Sequence, residues 1–166
     1  MKNLVWIGIF LLYELMLSSC GKVTSYPGVP SIDYESYKLV DTIDDPTLRN
    51  PVKMLEVTFK FVDGDGDLFT PDTSVRSLFL TFYNKVDGSF VQVPDSTLFT
   101  KPAISFPYSS LMDRSGQNKT QKGTITFDYP FYYPLPYDTI ELQFYIQDVA
   151  GNKSNVVLIP KEIPFK

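Results

Sequence analysis

Between Leu55 and Phe61 the chain alternates without a break: Leu55, Val57, Phe59 and Phe61 are apolar, and Glu56, Thr58 and Lys60 between them are polar. A period of two puts the two sets on opposite sides of an extended backbone, the pattern of a strand with one buried face. It returns at Ile140, Leu142, Phe144 and Ile146, with Glu141, Gln143 and Gln147 turned to water. The run Ser77–Tyr83 is apolar on both faces, as a central strand requires. Further strands are expected at 37–43, 89–93, 123–127 and 155–159, and Val86-Asp87-Gly88 marks a hairpin turn into Ser89. Beyond the N-terminal apolar run no stretch keeps a helical period for three turns, and 13 prolines and 9 glycines are scattered along the chain. The expected fold is all-β, about seven short strands in two packed antiparallel sheets.

The N-terminus follows different rules. Lys2 precedes an apolar run from Leu4 to Leu17, interrupted only late by Glu14, and small residues follow. A bilayer core needs about 20 apolar helical residues, so this shorter run reads as the hydrophobic part of a cleaved signal peptide. It ends in Leu17-Ser18-Ser19-Cys20, which resembles the lipobox of bacterial lipoproteins at every position. The resemblance implies cleavage before Cys20, thioether attachment of diacylglycerol to its sulfur, and acylation of the new amino terminus. Two or three such chains hold a protein on a membrane, each buried methylene contributing about 0.8 kcal/mol. The expected organisation is a signal peptide over 1–19, a lipidated tether over 20–32, small and Pro-containing, and one sandwich domain over 33–166.

Composition narrows the function. Cys20 is the only cysteine, so the domain must be held by its core and not by disulfides, and 43% hydrophobic and 15% aromatic residues supply one. A formal charge of −4 argues against nucleic acid as a partner. There is no histidine, which removes Ser-His-Asp catalysis, His-ligated zinc and the commonest general base. Three aspartates side by side on one loop make a poor acid and base pair, so the chain is read as non-catalytic.

That loop is Phe61-Val62-Asp63-Gly64-Asp65-Gly66-Asp67-Leu68. Carboxylates at i, i+2 and i+4 repel one another unless a cation or backbone N–H groups neutralise them, and the glycines let the chain curl so that the oxygens converge. Calcium is the ion such a loop suits. Asp63, Asp65 and Asp67 match the first, third and fifth positions of an EF-hand loop, but Ser74 stands where the bidentate Glu would be. A second motif, Asp148-Val149-Ala150-Gly151-Asn152-Lys153-Ser154-Asn155, reads as a tight turn between the last two strands. In an immunoglobulin-like strand order it falls at the same end of the sandwich as the acidic loop, so Asp148 and Asn152 join Asp63, Asp65 and Asp67 as candidate ligands. A third segment, Phe127–Tyr137, is dense in aromatics and proline, and Tyr132 and Tyr133 are its candidates for contacting a glycan or protein.

A lipobox, a short tether, a strand ending in Phe-x-Asp-Gly-Asp-Gly-Asp-Leu and another ending in Asp-x-Ala-Gly-Asn-x-Ser-Asn together resemble a group of small Bacteroidetes lipoproteins. The group often has Gly after the aliphatic residue that closes the acidic loop; here that residue is Phe69. The Asp-x-Ala-Gly-Asn turn is similar to turns of bacterial immunoglobulin-like and fibronectin type III-like domains. The resemblance implies an outer-membrane lipoprotein. Because no acidic residue follows Cys20 in Gly21-Lys22-Val23-Thr24, it implies the periplasmic face. The expected function is that of a membrane-anchored, non-catalytic interaction domain of the envelope, partnering a protein complex; the alternative is a glycan-binding accessory lipoprotein of polysaccharide uptake.

Overall fold

A computed structural model describes residues 26–44, 47, 49–98, 101–107, 119–135, 137–160 and 162–165. The signal peptide, Cys20 and the first part of the tether lie outside the described residues. Nine strands are described: β1 (Ser31–Ile43), β2 (Pro51–Asp63), β3 (Leu78–Val86), β4 (Ser89–Gln92), β5 (Ala103–Ile104), β6 (Gln121–Tyr132), β7 (Thr139–Ile146), β8 (Val157–Leu158) and β9 (Ile163–Pro164). They form two antiparallel sheets. One has the order β1-β2-β6; the other has β4-β3-β7-β8, with β5 also pairing β3 and β9 also pairing β7. This is the expected immunoglobulin-like sandwich, its last strand broken into β8 and β9.

Alternation does what it predicts in β2 and β7. Leu55, Val57 and Phe59 of β2 are wholly buried, as are Ile140, Leu142 and Ile146 of β7. Phe59 meets Phe144 across the sheets at 5.3 Å between ring centroids, and Phe127 of β6 lies 5.7 Å from the same Phe144 ring. A second aromatic group joins Phe82 to Tyr129 at 4.7 Å and Phe131 to Phe165 at 4.6 Å. Each buried ring of this kind contributes roughly 1.5–3 kcal/mol, so the core carries the stability that disulfides would otherwise supply. The hairpin after β3 forms as expected: Val86 pairs with Ser89, and Asp87 and Gly88 take φ of 50° and 81°, the left-handed pair of a type I′ turn.

Two strands run further than the pattern predicts. β1 starts at Ser31, not 37, because a bulge between Tyr34 and Ser36 shifts the alternation by one residue and hides its first half. Ile32 is buried in the core and Pro30 is buried beside it, so the sandwich begins inside the segment expected to be tether. β6 continues to Tyr132 through Pro130, with Phe127, Tyr129 and Phe131 all buried. A proline fits there because, among the described strands, β6 pairs only with β2 and its other side is an edge. In contrast, β8 is shorter than expected, since Asn155 is engaged elsewhere.

The outer face of the three-stranded sheet is charged. Lys60 pairs with Glu35 at 2.7 Å, Lys53 with Asp41 at 3.0 Å, and Lys38 with Glu56. Across the outer face of the other sheet Phe79 stacks on Tyr145 at 5.0 Å with 10° between ring planes, and the Lys153 ammonium lies 5.2 Å from the Tyr145 ring. Among the described residues no helix is long and apolar enough to cross a membrane.

Candidate metal centre

β2 ends at Asp63, and the chain turns at once. The alternation that buries Phe59 and Phe61 also points Asp63 inward, and its side chain is wholly buried. Leu68, equally buried, closes the loop by donating its N–H to Asp63 Oδ2 at 3.0 Å. Gly66 takes a φ of 72°, in the left-handed region open to glycine, and its backbone passes so close to the Lys119 carbonyl that a Cβ there would collide with it. The loop is thereby curled with its three carboxylates on one side.

The loop between β7 and β8 completes the group. Asp67 accepts the Val149 N–H on its backbone carbonyl at 3.2 Å and the Ala150 N–H on Oδ2 at 3.1 Å. These bonds bring the buried Asp148 to the acidic loop, and one carboxylate oxygen from each of Asp63, Asp65, Asp67 and Asp148 lies within 4.8 Å of all the others. The immunoglobulin-like strand order predicted this meeting of loops. Asn152 stands one layer back: its backbone N–H reaches Asp148 Oδ1 at 2.7 Å and its side-chain amide reaches Oδ2 at 2.8 Å, so it orients Asp148.

The electrostatics are those of a group with too many negative charges. Among the described residues, Oδ1 of Asp63 and Oδ1 of Asp67 are closed off from water and accept no hydrogen bond. Burial, followed by the adjoining Asp65 carboxyl and the charge of Asp67, pushes the Asp63 carboxyl up to about 7, against a single opposing bond from Leu68. Burial and then the charges of Asp148 and Asp65 also push Asp67 up. A cation at the centre would reverse these repulsions. Opposite oxygens around one calcium ion stand about 4.6–5.2 Å apart, twice the usual metal–oxygen distance, whereas magnesium would draw them in to about 4.2 Å. Four oxygens within 4.8 Å of one another are close enough to surround one divalent cation of calcium's size.

Several neighbours carry no signature in the sequence. Thr120 donates its hydroxyl to the Gly64 carbonyl at 3.3 Å, and Ser77 donates its own to the Leu68 carbonyl at 3.5 Å. Phe69, directly after the loop, packs against Phe61 and Phe106 and forms one wall of a groove of about 480 Å³ that also reaches Ile125. The aromatic candidates lie apart in role: Tyr132 is half-buried at the end of β6, whereas Tyr133 is exposed and donates its hydroxyl to Asp41 Oδ1 at 2.6 Å. Compared with protein-family models, curated proteins and solved structures, the chain matches none.

Proposed function

We propose that this protein is a lipid-anchored, non-catalytic interaction domain of the bacterial envelope, with one end of its sandwich held together by a calcium ion on Asp63, Asp65, Asp67 and Asp148. The observation that carries the ion is Asp63, a wholly buried carboxylate with one oxygen unpartnered among three other carboxylates. Water cannot reach that oxygen, so either a proton shared with Asp65 or a cation must neutralise it, and four carboxylates gathered around one point favour the cation. Calcium takes six to eight oxygens, so four carboxylates leave positions for backbone carbonyls and water. The anchor rests on the Leu17-Ser18-Ser19-Cys20 lipobox, and its absence of histidine makes the domain a binder before an enzyme. The membrane leaflet proposed is the periplasmic face of the outer membrane.

Isothermal titration with calcium, paired with thermal melts in calcium and in chelator, tests the ion. Heat of binding and a raised Tm support it; neither at millimolar calcium would leave the loop as a plain turn. Pull-down from envelopes solubilised in gentle detergent tests the interaction role, and recovery of the bait alone counts against it.

A glycan-binding role is the second reading. It is favoured by the half-buried aromatic pair Phe79 and Tyr145 on the outside of the larger sheet, beside the Lys153 ammonium, more than by Tyr133, whose hydroxyl is committed to Asp41. Affinity gels on common polysaccharides would show retardation under this reading and none under the first.

A further inference from the structure

We propose that the cation site doubles as a clasp for Tyr26-Pro27-Gly28, the segment by which the chain enters the sandwich, so that ion binding fixes the direction in which the domain leaves its tether. This rests on the calcium reading above. The segment lies directly on the acidic loop. The carbonyl oxygens of Tyr26 and Pro27 sit so close to Gly64 that any side chain there would run into both. One residue on, a Cβ at Gly28 would come within 2.8 Å of Asp65 Oδ2. The Lys122 ammonium, 6.0 Å from the Tyr26 ring, holds the segment from the side of β6.

Two of these approaches set carbonyl oxygens beside Gly64 of the anionic loop, and at Gly28 the loop's own Asp65 carboxylate lies against the segment. With four carboxylates already gathered, two more carbonyl dipoles beside Gly64 raise the repulsion. A divalent cation offsets much of that repulsion, because it neutralises two of the four carboxylate charges and gives carbonyl oxygens beside the loop a positive centre to face. The buried Oδ1 of Asp63, without a hydrogen-bond partner among the described residues, is a ligand atom that points to a cation. Docking of the segment and binding of the ion therefore favour one another, and such coupling is reciprocal: whatever loosens the segment weakens the ion by the same factor. Gly64 is a glycine here because the Tyr26 and Pro27 backbone lies against it, and Gly28 because the Asp65 side chain does; neither needs a left-handed conformation.

The test is hydrogen exchange on the full-length protein in detergent micelles, in calcium chloride and in chelator, read on peptides covering 23–31, 63–70 and 147–153. Calcium is expected to slow exchange in all three peptides. Tyr26→Ala removes the ring under Lys122 without touching the loop, and Gly28→Leu drives a side chain against Asp65; both lie outside the core. Each is expected to weaken calcium about tenfold and to abolish the protection at 23–31. Slowed exchange at 63–70 and 147–153 with no change at 23–31, or unchanged calcium affinity in both variants, overturns the clasp and leaves the calcium site standing. No calcium heat and no slowed peptide overturns both.

Discussion

Asn155 holds Ile32 by both of its backbone polar groups: its Oδ1 accepts the Ile32 N–H and its Nδ2 donates to the Ile32 carbonyl, each at 2.9 Å. The side-chain amide thus does the work of a neighbouring strand, tying the start of β1 in one sheet to the chain that leads into β8 of the other.

Replacing Asn155 by alanine leaves both backbone groups of Ile32 without these partners. The expected loss is about 1–3 kcal/mol, read as a lower midpoint in chemical denaturation with an unchanged slope. Asn155→Asp should also destabilise, because it keeps the acceptor but sets a negative charge against the Ile32 carbonyl.

Asp63→Asn should act in opposite directions in two buffers. In chelator it removes a buried charge facing like charges and should stabilise the domain by about 1–2 kcal/mol. In calcium it should abolish the ion's contribution. Paired thermal melts read both effects, and destabilisation in chelator would show that the carboxylate has a satisfying partner after all.

Removal of calcium from the wild-type protein should lower its stability by linkage. At an ion concentration one hundred times Kd the contribution is about 2.7 kcal/mol, which for a domain of this size is a Tm change of roughly 10 °C. Magnesium at equal concentration should give a smaller shift, since it needs the oxygens closer together.

Phe59 is wholly buried and touches rings from both β6 and β7. Phe59→Ala should cost about 3–5 kcal/mol, while Phe59→Leu should cost much less because most of the volume is kept. Denaturant titration distinguishes the two.

Cys20→Ala should abolish incorporation of labelled fatty acid and release the protein from the membrane fraction. The sandwich should melt at the same temperature, because its described contacts begin at Tyr26.

The parts of the fold that could be read in advance are those governed by local period. β2 and β7 keep strict alternation and fall where it places them, and the Asp87-Gly88 turn is local chemistry. β1 is half hidden because its bulge breaks the period, and β6 because Pro130 suggests an end that an edge strand does not need. At the site, Asp63, Asp65 and Asp67 announce themselves by spacing, and Asp148 follows from strand order. That Asp63 is wholly buried could not be read, since it depends on Leu68 closing over it. The polar residues of the second motif looked like those of a turn, yet Ser154 accepts the Ile146 N–H at 3.0 Å and Asn155 reaches back 123 residues. The entry segment leaves no mark because its contacts, carbonyl oxygens at Gly64, the Asp65 carboxylate at Gly28 and Lys122 at the Tyr26 ring, join residues far apart in the chain and follow no local period.

The rims of the three-stranded sheet bear on crowding. β1 and β6 are long, and a long bare rim invites a second molecule to add its own strand. Here one rim carries a bulge and the charges of Glu35, Lys38 and Asp41, and the other is interrupted at Pro130, where no N–H is offered. Both features work against a strand of a second copy adding to either rim.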